Sequence, residues 1–292
     1  MFELSEVDKV GDISSKEFLE KYKTNSKPVV LKNITKEWPA KEKWSLEYFE
    51  ALGGDREVNL YDSKPSTDYK LQHAAEASMP LKDYFEILRE GEQDLRMFFF
   101  DFMRELPPLK NDFSFPEIGL KFFKKLPVMF IAGNRAKVQM HFDIDYADIF
   151  LCHFGGKKKV ILFPPDQTPL MYHVPYSFSA YYDVDFENPD YEKYPALKYV
   201  KGGLETELEH GDVLYIPPGW WHYIIYEEIG YSMAIRSFPR DAKNFFGMLR
   251  NLLWIRTVDG LMRMVLGQKW NDRNAKAAIE KANNNMKRYE KG

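Results

Sequence analysis

The 292-residue sequence has a single cysteine, Cys152, which excludes an internal disulfide and any metal site built from several cysteines. It has no run of about 18 apolar residues, so we predict no membrane-spanning helix and no membrane partner. The first residues, MFELSEVDKVGD, contain neither a basic start nor an apolar stretch, so we expect no secretory signal and a cytoplasmic protein. Glycine-rich phosphate loops and G-x-S-x-G motifs are also missing, which leaves nucleotide-driven and serine-triad chemistry without support.

Neither sign of charge is in large excess, since the formal net charge is only −3. Its distribution is uneven, because residues 243–292 contain eleven Lys and Arg against four Asp and Glu. A basic segment of this kind is typical of a solvated helix face, but it also occurs where a protein contacts nucleic acid or an acidic partner. The solvated face is the favoured interpretation.

Aromatic residues, in contrast, make up 16% of the chain, which suits a β-rich core or a lined pocket. Short apolar runs broken by Gly, Pro and Asp follow one another with few helices between them, which predicts a sandwich or barrel. The polar, aromatic segment 166–210 is too long for a hairpin loop, and we interpret it as a functional loop. The predicted strands are 128–133, 138–144, 148–154, 158–165, 212–218, 222–227 and 231–238.

Helical patterns flank this region on both sides. Residues 14–23 begin with Ser14 or Ser15 as a candidate N-cap, and 45–53 and 79–91 predict two further helices. After residue 240, apolar residues recur at helical spacing up to Ile255, and 271–292 is a polar helix or a frayed tail. We therefore predict a mainly β domain over 1–240 and a C-terminal helical extension over 241–292.

Three residues suggest a metal site. His141 and Asp143 are two positions apart on a predicted strand, so their side chains point to the same face. His222 follows the rigid turn PPGWW and begins another strand. Two histidines and one carboxylate are the ligand set with which non-haem Fe(II) oxygenases leave metal positions open. His153, on the strand 148–154, is either a core residue, which is favoured, or a fourth ligand.

The segments HFDIDYADIFLCHFGGKKKVILFPPDQ (141–167), FENPDYEKYP (186–195) and GDVLYIPPGWWHYI (211–224) resemble the JmjC/cupin-like 2-oxoglutarate oxygenases. The resemblance is to the branch with the asparaginyl hydroxylase that inhibits hypoxia-inducible factor and the wybutosine tRNA hydroxylase. KPVVLKNITKEWPAKEKWSLEYF (27–49) is similar to that branch's entry segment. The resemblance implies a double-stranded β-helix, or jelly roll, with flanking N- and C-terminal helices. It also implies Fe(II) on the three residues above and 2-oxoglutarate as cosubstrate.

The same resemblance makes Lys158 the residue that binds the distal carboxylate of 2-oxoglutarate. Strand alternation points Lys158 inward and its lysine neighbours outward, while a solvated basic turn is the alternative interpretation. Arg236, near the last core strand, is either a second contact to the cosubstrate or a structural ion-pair residue. Both alternatives stay open at this point.

The sequence departs from the branch at two positions near the cosubstrate. Asp148, or an apolar residue next to it, lies where the branch often has an asparagine that contacts the other carboxylate of 2-oxoglutarate. An aspartate there repels that carboxylate unless it is protonated or turned away. Val138 replaces a threonine-type contact just before the metal motif.

We therefore expect a dioxygenase that hydroxylates a side chain of a protein or peptide substrate. One alternative is a tRNA-nucleoside hydroxylase of the same chemistry, with the basic C-terminal segment contacting RNA. The other is a cupin-like protein that binds metal without turnover. The branch also leads us to expect a homodimer formed through the C-terminal helices.

Overall fold

The computed structural model describes residues 1–63, 68, 74–92 and 94–289, so His73 and the last three residues of the predicted segment 271–292 lie outside it. Within these ranges the chain forms fourteen strands: β1 (Leu4–Glu6), β2 (Asp8–Val10), β3 (Val29–Leu31), β4 (Glu57–Tyr61), β5 (Ala77–Pro80), β6 (Arg96–Phe100), β7 (Val128–Ala132), β8 (Lys137–His141), β9 (Asp148–Gly155), β10 (Lys158–Phe163), β11 (Gly203–Leu208), β12 (Val213–Ile216), β13 (Trp221–Tyr226) and β14 (Gly230–Ser237).

The α-helices of the described ranges lie before and after the core strands: α1 (Ser15–Phe18), α2 (Ala40–Lys43), α3 (Leu46–Gly53), α4 (Leu81–Glu90), α5 (Phe102–Glu105), α6 (Ala242–Leu249), α7 (Arg256–Leu266) and α8 (Gln268–Tyr289). Two π-helical turns span Leu19–Lys23 and Arg250–Ile255, and 3-10 turns span Pro107–Asn111, Pro165–Leu170 and Pro195–Tyr199. None of the described helices is both long enough and apolar enough to cross a membrane.

Two sheets face each other to form the core. The strand order is β1-β11-β10-β13-β8 in one sheet and β2-β3-β12-β9-β14-β7-β6-β4-β5 in the other. The eight strands β7–β14 divide equally between the sheets, and the pairs they form with one another are antiparallel. This connectivity is the double-stranded β-helix, so the predicted mainly β, jelly-roll core is confirmed.

Strand β9 shows why the central runs are apolar throughout. Phe150 and Cys152 pack on one side of the nine-stranded sheet, in the cluster that also contains Phe18 of α1. Ile149 and Leu151 face the other sheet, in the space that we call the interior. A strand buried on both faces reads as a continuous hydrophobic run, since neither face requires polar residues.

The seven strands predicted over 128–238 are present, but β11 was missed inside the segment 166–210, so the interpretation of that whole segment as a loop is wrong. Its sequence GLETEL hides the strand because two of its positions are glutamates. Their carboxylates pair with lysines, Glu205 with Lys159 of the adjacent strand β10 at 2.8 Å and Glu207 with Lys157, just before that strand, at 3.1 Å. Cross-strand ion pairs therefore replace the apolar contacts that mark the other strands.

The helix starts near the N-terminus follow the predicted capping. The side chains of Ser14 and Ser45 accept hydrogen bonds from the backbone N–H three residues later, at 3.2 and 3.1 Å. At the other end, α8 runs from Gln268 to Tyr289, so the alternative of a frayed tail is wrong for these residues. The helix is held against the body of the protein, because the hydroxyl of Tyr172 donates to Asn283 Oδ1 at 2.7 Å.

Candidate metal centre

A β-bulge in β8 brings the two predicted histidine ligands together. Val138 pairs with Ile224 and His141 pairs with His222, so two residues of β8 lie opposite Tyr223 alone. Regular alternation from the inward-facing Val138 would turn His141 away from the interior. The extra residue reverses this, and the imidazole centroids of His141 and His222 are 4.1 Å apart.

Backbone carbonyl groups orient both imidazoles. The Nδ1 atom of His141 is 2.8 Å from the carbonyl oxygen of Gln139, and Nδ1 of His222 is 3.1 Å from that of Trp220. Nδ1–H donates in both bonds, which leaves each Nε2 lone pair for a metal ion. Burial lowers the pKa of both histidines, that of His222 to about 4, so both rings are neutral near pH 7.

Asp143 supplies the carboxylate, although β8 ends at His141 and Asp143 lies in the turn beyond it. The expectation that both residues share a strand is therefore wrong, but their side chains converge. Asp143 Oδ2 is 3.6 Å from His222 Nε2. Burial acts to raise the pKa of Asp143, but Arg236 and the two imidazoles outweigh it, and the net shift is downward.

The donor set fits Fe(II). One ligand atom from each of His141, Asp143 and His222 lies within 4.8 Å of the others, and over the described ranges these are the residues that could form such a site. Two imidazole nitrogens and one carboxylate oxygen on one side of a metal form the facial triad of non-haem Fe(II) oxygenases. The geometry thus agrees with the predicted ligand set.

Arg236 adjoins this triad from β14. Its Nη2 is 3.4 Å from Asp143 Oδ1, and its Nε is 3.3 Å from Asp145 Oδ2. These contacts agree with the interpretation of Arg236 as a structural ion-pair residue. Nη1 is buried and has no hydrogen-bond partner among the described residues, so a contact of Arg236 with the cosubstrate stays a prediction.

Lys158 lies in the interior and is only 1% exposed. Its Nζ donates to Ser232 Oγ and lies 4.0 Å from the centroid of the Tyr226 ring. Burial lowers the pKa of Lys158 well below its ordinary value, and no carboxylate of the described residues pairs with it. The inward orientation is confirmed and the solvated-turn alternative is wrong, while the binding of a carboxylate stays a prediction.

His153 is a core residue rather than a fourth ligand. Its Nδ1 lies 3.0 Å from Ser232 Oγ and its Nε2 lies 2.6 Å from the carbonyl oxygen of Gly156. Both ring nitrogens are therefore engaged, and burial lowers the pKa of His153 well below its ordinary value.

Asp148 is turned away from the interior. It lies on the same side of β9 as Phe150, where its Oδ2 is 2.9 Å from Lys23 Nζ and its Oδ1 accepts from the Tyr215 hydroxyl at 2.7 Å. The carboxylate therefore does not oppose a cosubstrate in the interior. Val138, the second departure, does line the interior and gives it an apolar wall.

Residues 14–241 match the cupin-like domain, and the chain belongs to this family. Among its relatives are two proteins named tRNA wybutosine-synthesizing protein 5. The one from Gallus gallus is 30% identical over 251 residues, and the alignment covers 79% of this chain and 76% of the relative. The one from Homo sapiens is 30% identical over 254 residues, covering 78% and 76%. Arginine-specific demethylase JMJ22 of Arabidopsis thaliana is 26% identical over 274 residues, covering 84% of this chain and 48% of the relative. The resemblance to JmjC/cupin-like proteins is thereby confirmed.

The orientation of Asp148 leads to a testable expectation. We expect Asp148→Asn to leave the affinities for Fe(II) and 2-oxoglutarate within about twofold of the wild type, because the side chain lies on the opposite face of β9. Calorimetric titration under anaerobic conditions measures both affinities, with Lys158→Met as the variant expected to lose 2-oxoglutarate. A large loss of 2-oxoglutarate affinity in Asp148→Asn would contradict this expectation and show that the Asp148 carboxylate influences the cosubstrate.

Proposed function

We propose that the protein is an Fe(II)- and 2-oxoglutarate-dependent dioxygenase. The observation that carries this proposal is that the three candidate metal ligands and the buried Lys158 line the same space between the two sheets. Across the five-stranded sheet, Leu162 pairs with His222 and Lys158 pairs with Tyr226, four residues farther along both strands. Four strand residues span about 13 Å. That separation suits a five-carbon dicarboxylate that reaches from the metal towards an extended lysine side chain.

Each residue has a distinct role in this proposal. His141, Asp143 and His222 hold the metal, and the carbonyl bonds to both Nδ1 atoms keep the imidazoles in place. Lys158 binds the distal carboxylate of 2-oxoglutarate, and Arg236 positions Asp143 and presents its free Nη1–H. Bound Fe(II) would supply the reaction of dioxygen with 2-oxoglutarate, in which one oxygen atom enters succinate, CO2 is released and the other oxygen atom hydroxylates a C–H bond. The apolar interior keeps bulk water from this reaction.

As substrate we propose a side chain of a protein or peptide. Residues 1–242, which contain the site, have an excess of acidic residues, and an acidic domain repels the phosphates of a nucleic acid. Two exposed aromatic side chains adjoin the site, since the Phe99 ring lies 5.4 Å from the guanidinium carbon of Arg236 and contacts Phe98. Phe98 and Phe99 are 45% and 42% exposed, which suits contact with an apolar peptide segment.

The first prediction concerns the metal and the cosubstrate. Anaerobic addition of Fe(II) and then 2-oxoglutarate to the wild type should produce the weak visible charge-transfer band of the chelate, with succinate formation after oxygen is admitted. His222→Ala should lose the band because one of three ligands is gone. His210→Ala is the matched control, since His210 is exposed and bonds to the carbonyl oxygen of Lys41. Iron binding without a band would favour the alternative of a non-catalytic metal-binding protein.

A tRNA nucleoside is the second candidate substrate. Several relatives are named for wybutosine synthesis on tRNA, and α8 has several exposed basic residues. This candidate predicts that neutralising three of them, Lys276, Lys281 and Lys287, by glutamine lowers the slope of log affinity against log salt by about two to three. Filter binding of tRNA at several salt concentrations measures the slope. The control exchanges Lys16, Lys36 and Lys82, which lie outside the C-terminal segment. Equal slopes in the two variants would exclude α8 as an RNA contact.

For residues 241–292 we propose a C-terminal helical extension that pairs with a second copy of the chain. The resemblance to the branch suggested this dimer, and α6 to α7 expose a large apolar face, which is unusual for a monomer. Its most exposed members are Phe246, Leu253, Trp254, Met264 and Val265.

The dimer gives a further prediction. The wild type should sediment as a dimer, and the double variant Trp254→Glu, Met264→Glu should sediment as a monomer, because two charges would be buried in the interface. Lys276→Glu, on the exposed surface of α8, is the control and should stay dimeric. Sedimentation of the wild type as a monomer at micromolar concentration would contradict the proposal.

A further inference from the structure

Arg96 spans the side of the jelly roll next to the candidate metal centre. It lies on β6, opposite Ala132 of β7 in the nine-stranded sheet. Its side chain crosses to the other sheet, where Nη1 donates to the carbonyl oxygen of Lys137 on β8 at 2.5 Å. Lys137 pairs with Ile225, the residue before Tyr226, so Arg96 reaches the part of the interior in which Lys158 lies.

Arg96 is half-buried and its guanidinium is incompletely paired. Its Nε–H has no hydrogen-bond partner among the residues that the structure describes, and none of their carboxylates lies within ion-pair distance. Asp62 and Asp94 attract it only from farther away; Asp94 Oδ2 accepts from Ser63 at 2.7 Å, and Asp94 Oδ1 is buried without a hydrogen-bond partner among the described residues. A buried cation without a counter-ion is unfavourable, and burial accordingly lowers the pKa of Arg96.

The side chain of Arg96 lies between the two sheets, since it starts on β6 and its Nη1 donates to β8. Through Lys137 it adjoins β13 at Ile225, the residue before Tyr226, whose ring lies 4.0 Å from the Lys158 ammonium. Arg236 differs, since it already has two carboxylate partners. The described interior thus holds two cations, Arg96 and Lys158, that both lack a carboxylate.

We propose that Arg96 is a second cationic residue for the distal carboxylate of 2-oxoglutarate, which it binds through Nε–H together with Lys158. This inference rests on the proposed function. The guanidinium adds a directed hydrogen bond to the point charge of the lysine, so the site discriminates strongly between dicarboxylates and monocarboxylates. Succinate keeps the same distal carboxylate, so it is bound by the same pair.

The test compares two 2-oxo acids that differ in the distal carboxylate. Anaerobic calorimetry on the full-length Fe(II) protein measures the Kd of 2-oxoglutarate and of pyruvate, which has the 2-oxo acid group alone. Arg96→Gln should weaken 2-oxoglutarate binding by about ten- to a hundredfold and leave pyruvate within about twofold. Arg96→Lys, which keeps the charge but loses the planar donors, should fall between them. Arg135→Gln is the control, because Arg135 is exposed and pairs with Glu92.

The results that would overturn this inference differ from the result that would overturn the proposed function. An equal loss of affinity for both acids in Arg96→Gln would overturn the inference and show that Arg96 only ties β6 to β8. Unchanged 2-oxoglutarate affinity in Arg96→Gln, together with loss of 2-oxoglutarate binding in Lys158→Met, would also overturn it. The proposed function would stand in both cases. Failure of the wild type to bind 2-oxoglutarate would overturn both. Thermal unfolding and Fe(II) affinity verify the fold of each variant, and if Arg96→Gln does not fold, the 2-oxoglutarate to pyruvate ratio of Arg96→Lys decides. An unchanged ratio there refutes the inference.

Discussion

The site depends on one extra residue in β8. Side chains of a strand alternate between two faces, so a single added residue turns everything after it to the opposite face. Here it places His141 opposite His222 across one strand pair, while Met140 packs outside the interior with the cluster behind the five-stranded sheet. The turn that carries Asp143 starts from the end of the same strand, so the position of the third donor follows from the bulge as well.

The bulge also marks the limit of what the sequence could predict. The apolar runs gave the core strands, because central strands of two packed sheets need hydrophobic residues on both faces. The identity of the triad followed from residue types and spacing, although a strand shared by His141 and Asp143 was the wrong reason for it. A bulge has no marker in the residues themselves, and β11 was not predicted because its glutamates pair with Lys159 of β10 and with Lys157 just before it. Arg96 was missed altogether, since only the pairing of β6 with β7 brings it into the interior.

Charge inside the jelly roll is arranged in two zones. Next to the candidate metal ligands, Arg236 forms ion pairs with Asp143 and Asp145, so its charge is already balanced. In the other zone, Lys158 donates a hydrogen bond only to the hydroxyl of Ser232, and the ring of Tyr226 lies beside it. A protein interior tolerates such a cation only where the gain elsewhere outweighs the cost of removing it from water. The unequal matching of the two zones is what the proposed binding of a dicarboxylate cosubstrate would require.

The ion pair between Lys23 and Asp148 has a consequence for the size of the smallest working domain. Lys23 belongs to the helical segment at the N-terminus, whereas Asp148 begins β9 only five residues after Asp143. A shortened chain that starts after Lys23 would leave a buried carboxylate without its counter-charge at the base of the turn that carries a candidate ligand. The N-terminal helical segment thus stabilises the start of β9, and the jelly-roll strands alone would leave that carboxylate unpaired.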